Sequence, residues 1–317
     1  MGTPASTSTI TQIADKVACG GATAANTGKL GCLSLFGTPE HILLLRKGTI
    51  IPANTVFNIT YLTGLIQNGK LIPLVGASAF EDVSAEDTYS TNTSGVKRLN
   101  LKGLPEYKVM FEEGHEFYKQ LSKLESYKAF DFILGDDEGN WMLVTRSDGT
   151  FSGFSGGHTT PERTIRKVAG GDAESKSFLF QFLDRLQFDE NYIILHNDEL
   201  DFVPSEIPLV NGVDMSFTAI PTAADTTLEV NVVLSGDANT AVEGLLVVNF
   251  RYMVEGVAEV PSGITEPTPG NYILDAVVAL VAGETITLEL WDLSASVDVT
   301  DLGGTLYRGN TSAVNAT

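Results

Sequence analysis

Positions 205–317 contain no lysine: 15 acidic residues there face only Arg251 and Arg308. The whole chain holds 40 Asp and Glu against 20 Lys and Arg, a formal charge of -20. An excess of this sign repels phosphate backbones and argues against tight nucleic-acid binding. A channel that DNA must traverse without adhering would be acidic too. Cysteine is scarce, with only Cys19 and Cys32, which excludes a disulfide framework; reduced thiols fit better, and one disulfide stays open. The four histidines, His41, His115, His158 and His196, are scattered, with no HExxH or C-x-x-C spacing, so no zinc site is expected. No G-x-S-x-G, P-loop or dinucleotide fingerprint occurs, and "FSGFSGG", "ACGGAT" and "VAGGDAESK" read as plain loops. No stretch approaches the roughly 18 to 20 apolar residues of a membrane helix. The opening "MGTPASTSTITQIADK" lacks a basic segment followed by an apolar run, so no secretory signal is expected. The sequons at Asn58, Asn92 and Asn310 then carry no weight. No catalytic, cofactor-binding or metal-binding residue is assigned, no cofactor is expected, and the chain is not read as an enzyme.

What remains is a chain of 317 residues, 43% hydrophobic and 19% charged. That length suggests two domains, since single cores seldom grow beyond about 250 residues. The charge shift falls near "DFVPSEIPLVNG" (201–212), where Pro204 and Pro208 interrupt regular structure. This predicts an N-terminal arm over 1–31, a mixed β domain over 32–204 and an all-β sandwich over 205–317. In the last of these, "TTLEVNVVLS", "EGLLVVNFRYMV", "NYILDAVVAL" and "ETITLELWDL" read as strands, with "VDMSFTAI" and "GTLYRGN" as further ones. The pieces "SGDANT", "PSGITEPTPGN" and "VAGE" read as turns between them.

The arm is rich in Ser, Thr, Ala and Gly and reads as extended. In the middle domain, "EYKVMFEE" alternates Tyr107, Val109 and Phe111 as a strand. Over 115–126 the period changes, with Phe117, Tyr118, Leu121 and Leu124 on one helix face. "KAFDFILGDDEGNWMLVTRSDGTFSGF" then reads as a three-strand meander whose Asp148-Gly149 predicts a type I′ turn, both central residues taking positive φ. Two stretches, 84–98 and 155–176, read as long irregular loops.

Several residues compete for a chemical role. In "GDDEGN", Asp136, Asp137 and Glu138 lie side by side, but the calcium-loop pattern fails because Trp141 stands where its glycine belongs and Ser147 where its last acid belongs. Gly135 and Gly139 bracket the acids as in a hairpin, so a solvated turn is preferred over a metal site. Glu112, Glu113 and Asp292 could join Asp136 or Asp137 in paired-carboxylate catalysis, but nothing singles out an acid with a raised pKa. Arg163, Arg166 and Lys167 form a small basic group, read as a solvated loop face or as a docking point for an acidic neighbour.

The order strand (106–113), short helix (115–126), hairpin (128–145), long loop, strand resembles the tail-tube (major tail protein) family of tailed bacteriophages. "PTPGNYILDAVVALVAGETITLEL" resembles the late strands of the immunoglobulin-like domains such subunits carry. The first resemblance covers about 40 to 204. It implies a non-enzymatic virion protein, made in the host bacterial cytoplasm, whose hexameric rings stack into a tube around passing DNA. Its partners would be copies of itself and other virion proteins, with no membrane. The arm 1–31 and the loops 84–98 and 155–176 are then expected at contacts between subunits. The alternatives are another virion component (head decoration, fibre attachment or baseplate) and a carbohydrate-binding module using Trp141 or Trp291.

Overall fold

A computed structural model describes residues 8–17, 36–166 and 174–317. The chain is mainly β, the class its patterning pointed to. It divides into two compact units, one of residues 1–63 and 70–207, the other of 64–69 and 208–317.

The first unit opens with α1 (Ile10–Val17), β1 (Pro39–Arg46), α2 (Ile59–Gln67, which runs past Thr63), β2 (Leu71–Leu74) and β3 (Ala79–Asp82). A separate hairpin, β4 (Thr88–Thr91) and β5 (Lys97–Leu101), precedes β6 (Glu106–Phe111) and α3 (His115–Ser122). Next come β7 (Ser126–Tyr127), β8 (Phe130–Asp136), β9 (Trp141–Thr145), β10 (Phe151–Ser152), β11 (Phe154–Pro161), β12 (Lys176–Phe182), α4 (Arg185–Asp189) and β13 (Tyr192–Leu195). The main sheet runs β10-β9-β8-β11-β12-β6-β3, with β1 and β2, β7 and β13 attached, every pair antiparallel. Phe132, Phe154, Phe178, Phe180 and Phe182 fill the core on one face, with Tyr107 and Phe80 against them. All seven residues of β8 are buried. Period-2 alternation sends Phe130, Phe132 and Leu134 into that core and Ile133 to the opposite face. A strand covered on both faces loses the polar alternation that an exposed one shows.

Among the described residues four helices appear where one was expected. Helix α1 replaces extended backbone over 10–17, and Thr9 and Gln12 form a capping box: Thr9 N donates to Gln12 Oε1 at 2.9 Å and Gln12 N to Thr9 Oγ1 at 3.4 Å. The rest of the arm, with Cys19 and Cys32, lies outside the described residues. Asn58 caps α2 by accepting from Tyr61 N at 2.9 Å, and Asp184 caps α4 through Leu186 N at 3.0 Å. The stretch 84–98 is not an irregular loop, because Asn92 closes a hairpin there. Most of 155–163 is strand β11 and its exit, and Ile165 bridges Ser175, so the second expected loop is also largely paired backbone. Its tip, including Lys167, lies outside the described residues. The Asp148 turn is also different from expectation. Only Gly149 takes positive φ, +78°, while the Asp148 carboxylate accepts from Thr150 N at 3.0 Å. Three residues, 147–149, make this loop rather than two, which is the type I turn with a left-handed glycine.

The second unit begins with β14 (Val210–Phe217), β15 (Thr227–Leu234), β16 (Asp237–Ala241), β17 (Phe250–Val254), β18 (Val257–Glu259) and β19 (Gly263–Thr268). It ends with β20 (Asn271–Asp275), β21 (Thr285–Leu290), β22 (Thr300–Leu302), β23 (Thr305–Asn310) and β24 (Val314–Asn315). The order is β18-β17-β21-β23-β14-β15-β20-β19, and among the described residues β14 and β23 form its one parallel pair. Val230, Val232, Phe250, Tyr252, Tyr272, Leu274, Leu288 and Leu290 form its core. The stretches read as turns, 235–240 and 261–271, supply the edge strands β16 and β19. Residues 276–280, read as the end of a strand, leave the sheet after Asp275.

Candidate functional site

The acidic turn is the first place to look for chemistry. Asp136 is fully buried and Asn140 nearly so, whereas Asp137 and Glu138 are exposed. The expected solvated turn is therefore corrected at its first acid. Asp136 Oδ2 accepts from Gly37 N at 2.7 Å and Asn140 Nδ2 at 2.8 Å; Oδ1 accepts from Glu138 N at 3.0 Å and Asn140 N at 2.7 Å. Four N–H donors surround one carboxylate, and none of these contacts is a cation. Neighbouring bonds extend the knot. Thr38 N donates to Asp137 Oδ1 at 3.0 Å, and Asn197 reaches Glu138 O through Nδ2 at 2.6 Å and Asn140 Oδ1 through its amide at 3.1 Å. Gly135 is required because a Cβ would come within 2.7 Å of the Trp141 ring, its cross-strand partner. The turn ties three distant pieces of chain together, and its lone pairs are directed at amides rather than at an ion site. Among the described residues no group of three or more His, Cys, Asp or Glu is arranged to hold a metal.

The other sequence candidates are dispersed. His41 is half-buried, accepts Gly76 N through Nδ1 at 3.0 Å and stands 6.1 Å from the Trp141 ring. Burial lowers its pKa below 6.5, against the opposing pull of Asp136 and Asp137. Tyr127 lies 4.7 Å from the His158 ring on the surface. Arg166 pairs with Glu174 at 2.5 Å, so it is not an open docking cation, and Arg163 is exposed. Glu112 and Glu113 sit on the exposed link between β6 and α3, far along the chain from the buried Asp136, and Asp292 belongs to the second unit, capping Ser294 N at 2.8 Å. Neither tryptophan is an open platform for a sugar ring. Trp141 is fully buried, and the Arg251 guanidinium lies 3.3 Å above Trp291 while also holding Glu289.

The surface that stands out is the β4–β5 hairpin. All nine of its strand residues are exposed. Asn92 Oδ1 accepts from Ser94 N at 3.1 Å and Val96 N at 2.9 Å, and Gly95 supplies φ +78° for the turn. Tyr89 pairs across from Leu99 on the face that also carries Thr91 and Lys97; a register shift beyond that pair sets Leu101 opposite Thr88, on the face of Ser90, Arg98 and Asn100, where Ser90 Oγ donates to Asn100 Oδ1 at 2.8 Å. Tyr89, 56% exposed, and Leu99, 44% exposed, form an apolar pair on one face that none of the described residues covers, and Leu101 is 67% exposed on the other. The base, by contrast, is clamped. Asp87 Oδ1 accepts from Gly103 N at 2.8 Å and Arg185 Nη1 at 2.6 Å, and these bonds hold its carboxyl below the usual range. Residues 88–102 contain Lys97, Arg98 and Lys102 and no acid.

A second surface is the back of the main sheet. Opposite the aromatic core, β3, β6 and β12 present Glu81, Glu106, Lys108, Met110, Leu179 and Gln181, exposed or half-buried. Lys108 spends its charge on Glu162 at 2.8 Å. The charge left over on this face is acidic. The sequence pointed to 84–98 as a contact segment but as an irregular loop, although Asn92, Gly95 and the acid-free run 88–102 were signals for the hairpin; the back of the sheet was not expected. No protein-family model matches this chain, and no curated protein matches it in sequence.

Proposed function

We propose that this protein is a non-enzymatic structural subunit that assembles with copies of itself, in the manner of a phage tail-tube protein with an immunoglobulin-like second domain. The observation that carries this reading is the hairpin. A lone two-stranded ribbon is marginal in water, and this one exposes an apolar face from a clamped base. Such a surface has a physical purpose once another subunit covers it. The sheet's acidic back supports the companion idea of a lumen that DNA passes without adhering. The virion as its location, and other virion proteins as partners, follow from the same reading.

The test replaces residues 88–101 with a short Gly-Ser link between Asp87 and Lys102 in the full chain. The variant is expected to keep the wild-type circular dichroism spectrum and to form no rings or tubes in negative-stain micrographs. Wild-type-like assemblies from the variant would sink the proposal.

A further inference from the structure

The second unit has an apolar end with no role in its own core. Residues 276–283 read Ala-Val-Val-Ala-Leu-Val-Ala-Gly, without a single charge. Only Ala276 and Leu280 turn inward; Val277, Val278 and Val281 are 56%, 62% and 60% exposed. Backbone bonds fasten this segment to the link between β14 and β15: Ala224 N donates to Leu280 O at 2.8 Å, Leu280 N to Asp225 O at 3.1 Å, and Ala276 N to Thr226 O at 2.7 Å. Ile220, 60% exposed, lies in that same link. The β17–β18 turn reaches this end too, since Glu255 Oε1 accepts from Thr285 N at 2.5 Å. The result is an ordered apolar tip on three loops.

Its charged groups are Asp225, Glu255 and Glu284. Each accepts one backbone amide, and none has an ion pair among the described residues. Both arginines of this unit are already engaged, Arg251 with Glu289 and Arg308 with Asp298. Two such tips placed face to face would set acid against acid, and an anionic lipid surface would be repelled likewise. The tip therefore suits an apolar surface that carries cations. The hairpin has that chemistry: Tyr89 and Leu99 share a face with Lys97, and Lys97 and Arg98 have no ion pair among the described residues.

We propose that the apolar face of the 88–101 hairpin seats on the acidic-rimmed tip formed by 220–225, 255–257 and 276–284 of a second copy of this chain. The inference rests on the assembly reading above and adds where the hairpin goes. Hairpin and tip are unlike surfaces, so repeating the contact head to tail builds rings or open filaments, while exchanging it reciprocally closes a two-fold dimer.

The test exchanges charge at exposed positions of the full-length protein. One variant carries Lys97→Glu with Arg98→Glu; a second carries Val278→Lys with Val281→Lys. Sedimentation velocity and negative-stain microscopy read assembly, and circular dichroism confirms folding. Each variant alone should need roughly tenfold more protein, or more, to assemble, as loss of a rim charge pair or an apolar anchor does. Mixed in equal amounts they should assemble again, since each then offers its partner a complementary surface. If the tip variant assembles like the wild type while the hairpin variant fails, the hairpin seats elsewhere and this inference falls, with the assembly reading intact. Failure of the mixture to recover overturns it as well. A wild-type chain that never assembles overturns both.

Discussion

Removing the Asp136 carboxylate is the sharpest perturbation of the first unit. Four N–H groups converge on it at 2.7 to 3.0 Å. A hydrogen bond to a charged group contributes about 1.5–3 kcal/mol, so simple addition would exceed 6 kcal/mol. Addition overstates the loss, because Asp137 and Glu138 are exposed and the turn can let water reach Glu138 N. Gly37 N and the two Asn140 donors are the ones stranded, which sets the cost of Asp136→Ala at roughly 3–5 kcal/mol. For a unit of this size that lowers the melting temperature by roughly 6 to 20 °C. Asp136→Asn should cost nearly as much, since its Nδ2 would face a donor where an oxygen now accepts. The assay is thermal unfolding followed by fluorescence in a Trp291→Phe background, leaving Trp141 as the reporter beside the turn. Asp136→Ala melting within about 2 °C of its parent would refute the bond count, because that is under 1 kcal/mol. A near-neutral Asp136→Asn would show that fewer donors depend on the charge than the geometry implies. Calcium should leave both melting curves where they are, because the Asp136 lone pairs are already occupied by amides.

Two further predictions concern titration and ion pairing. His41 has a folded pKa below 6.5, so the unfolded chain binds its proton more readily and stability falls as pH drops from about 6.5 toward the lowered value. Melting temperatures should decline across that window, and His41→Gln should flatten the decline; an unchanged slope would contradict the assignment. Asp131 is buried and holds Lys47 Nζ at 2.6 Å, Gly48 N at 3.1 Å and Gly156 N at 3.3 Å, so Asp131→Ala should cost roughly 2–4 kcal/mol. Lys47→Met leaves both amides bonded and removes a side chain 38% exposed, so about 1 kcal/mol is expected in urea unfolding. Equal losses would disprove this asymmetry.

What the sequence made legible follows where local pattern decides structure. Strand β6 and helix α3 were visible because Tyr107, Val109 and Phe111 repeat every second residue and Phe117, Tyr118, Leu121 and Leu124 follow a helical period. Helix α2 was not, because a short apolar run reads equally as strand or helix, and only the Asn58 cap distinguishes them. The edge strand β19 has no buried residue, so its polar residues looked like a turn. "GDDEGN" was placed correctly as a turn, yet the burial of Asp136 depends on Gly37, ninety-nine residues earlier in the chain. No local window contains that contact.

Charge shows why the same limit applies to the functional surfaces. A net of -20 says only that copies of this chain repel at long range. What governs their meeting is where the unpaired cations stand. In the second unit both arginines are neutralised internally, whereas Lys97 and Arg98 of the hairpin have no ion pair among the described residues and 88–102 has no acid at all. A contact of the tip with itself would oppose acid to acid, and one of the hairpin with itself base to base. A contact of hairpin with tip brings unlike surfaces together and relieves both. The distribution of charge therefore favours hairpin-to-tip pairing over either self-contact, and it does so without reference to any family resemblance.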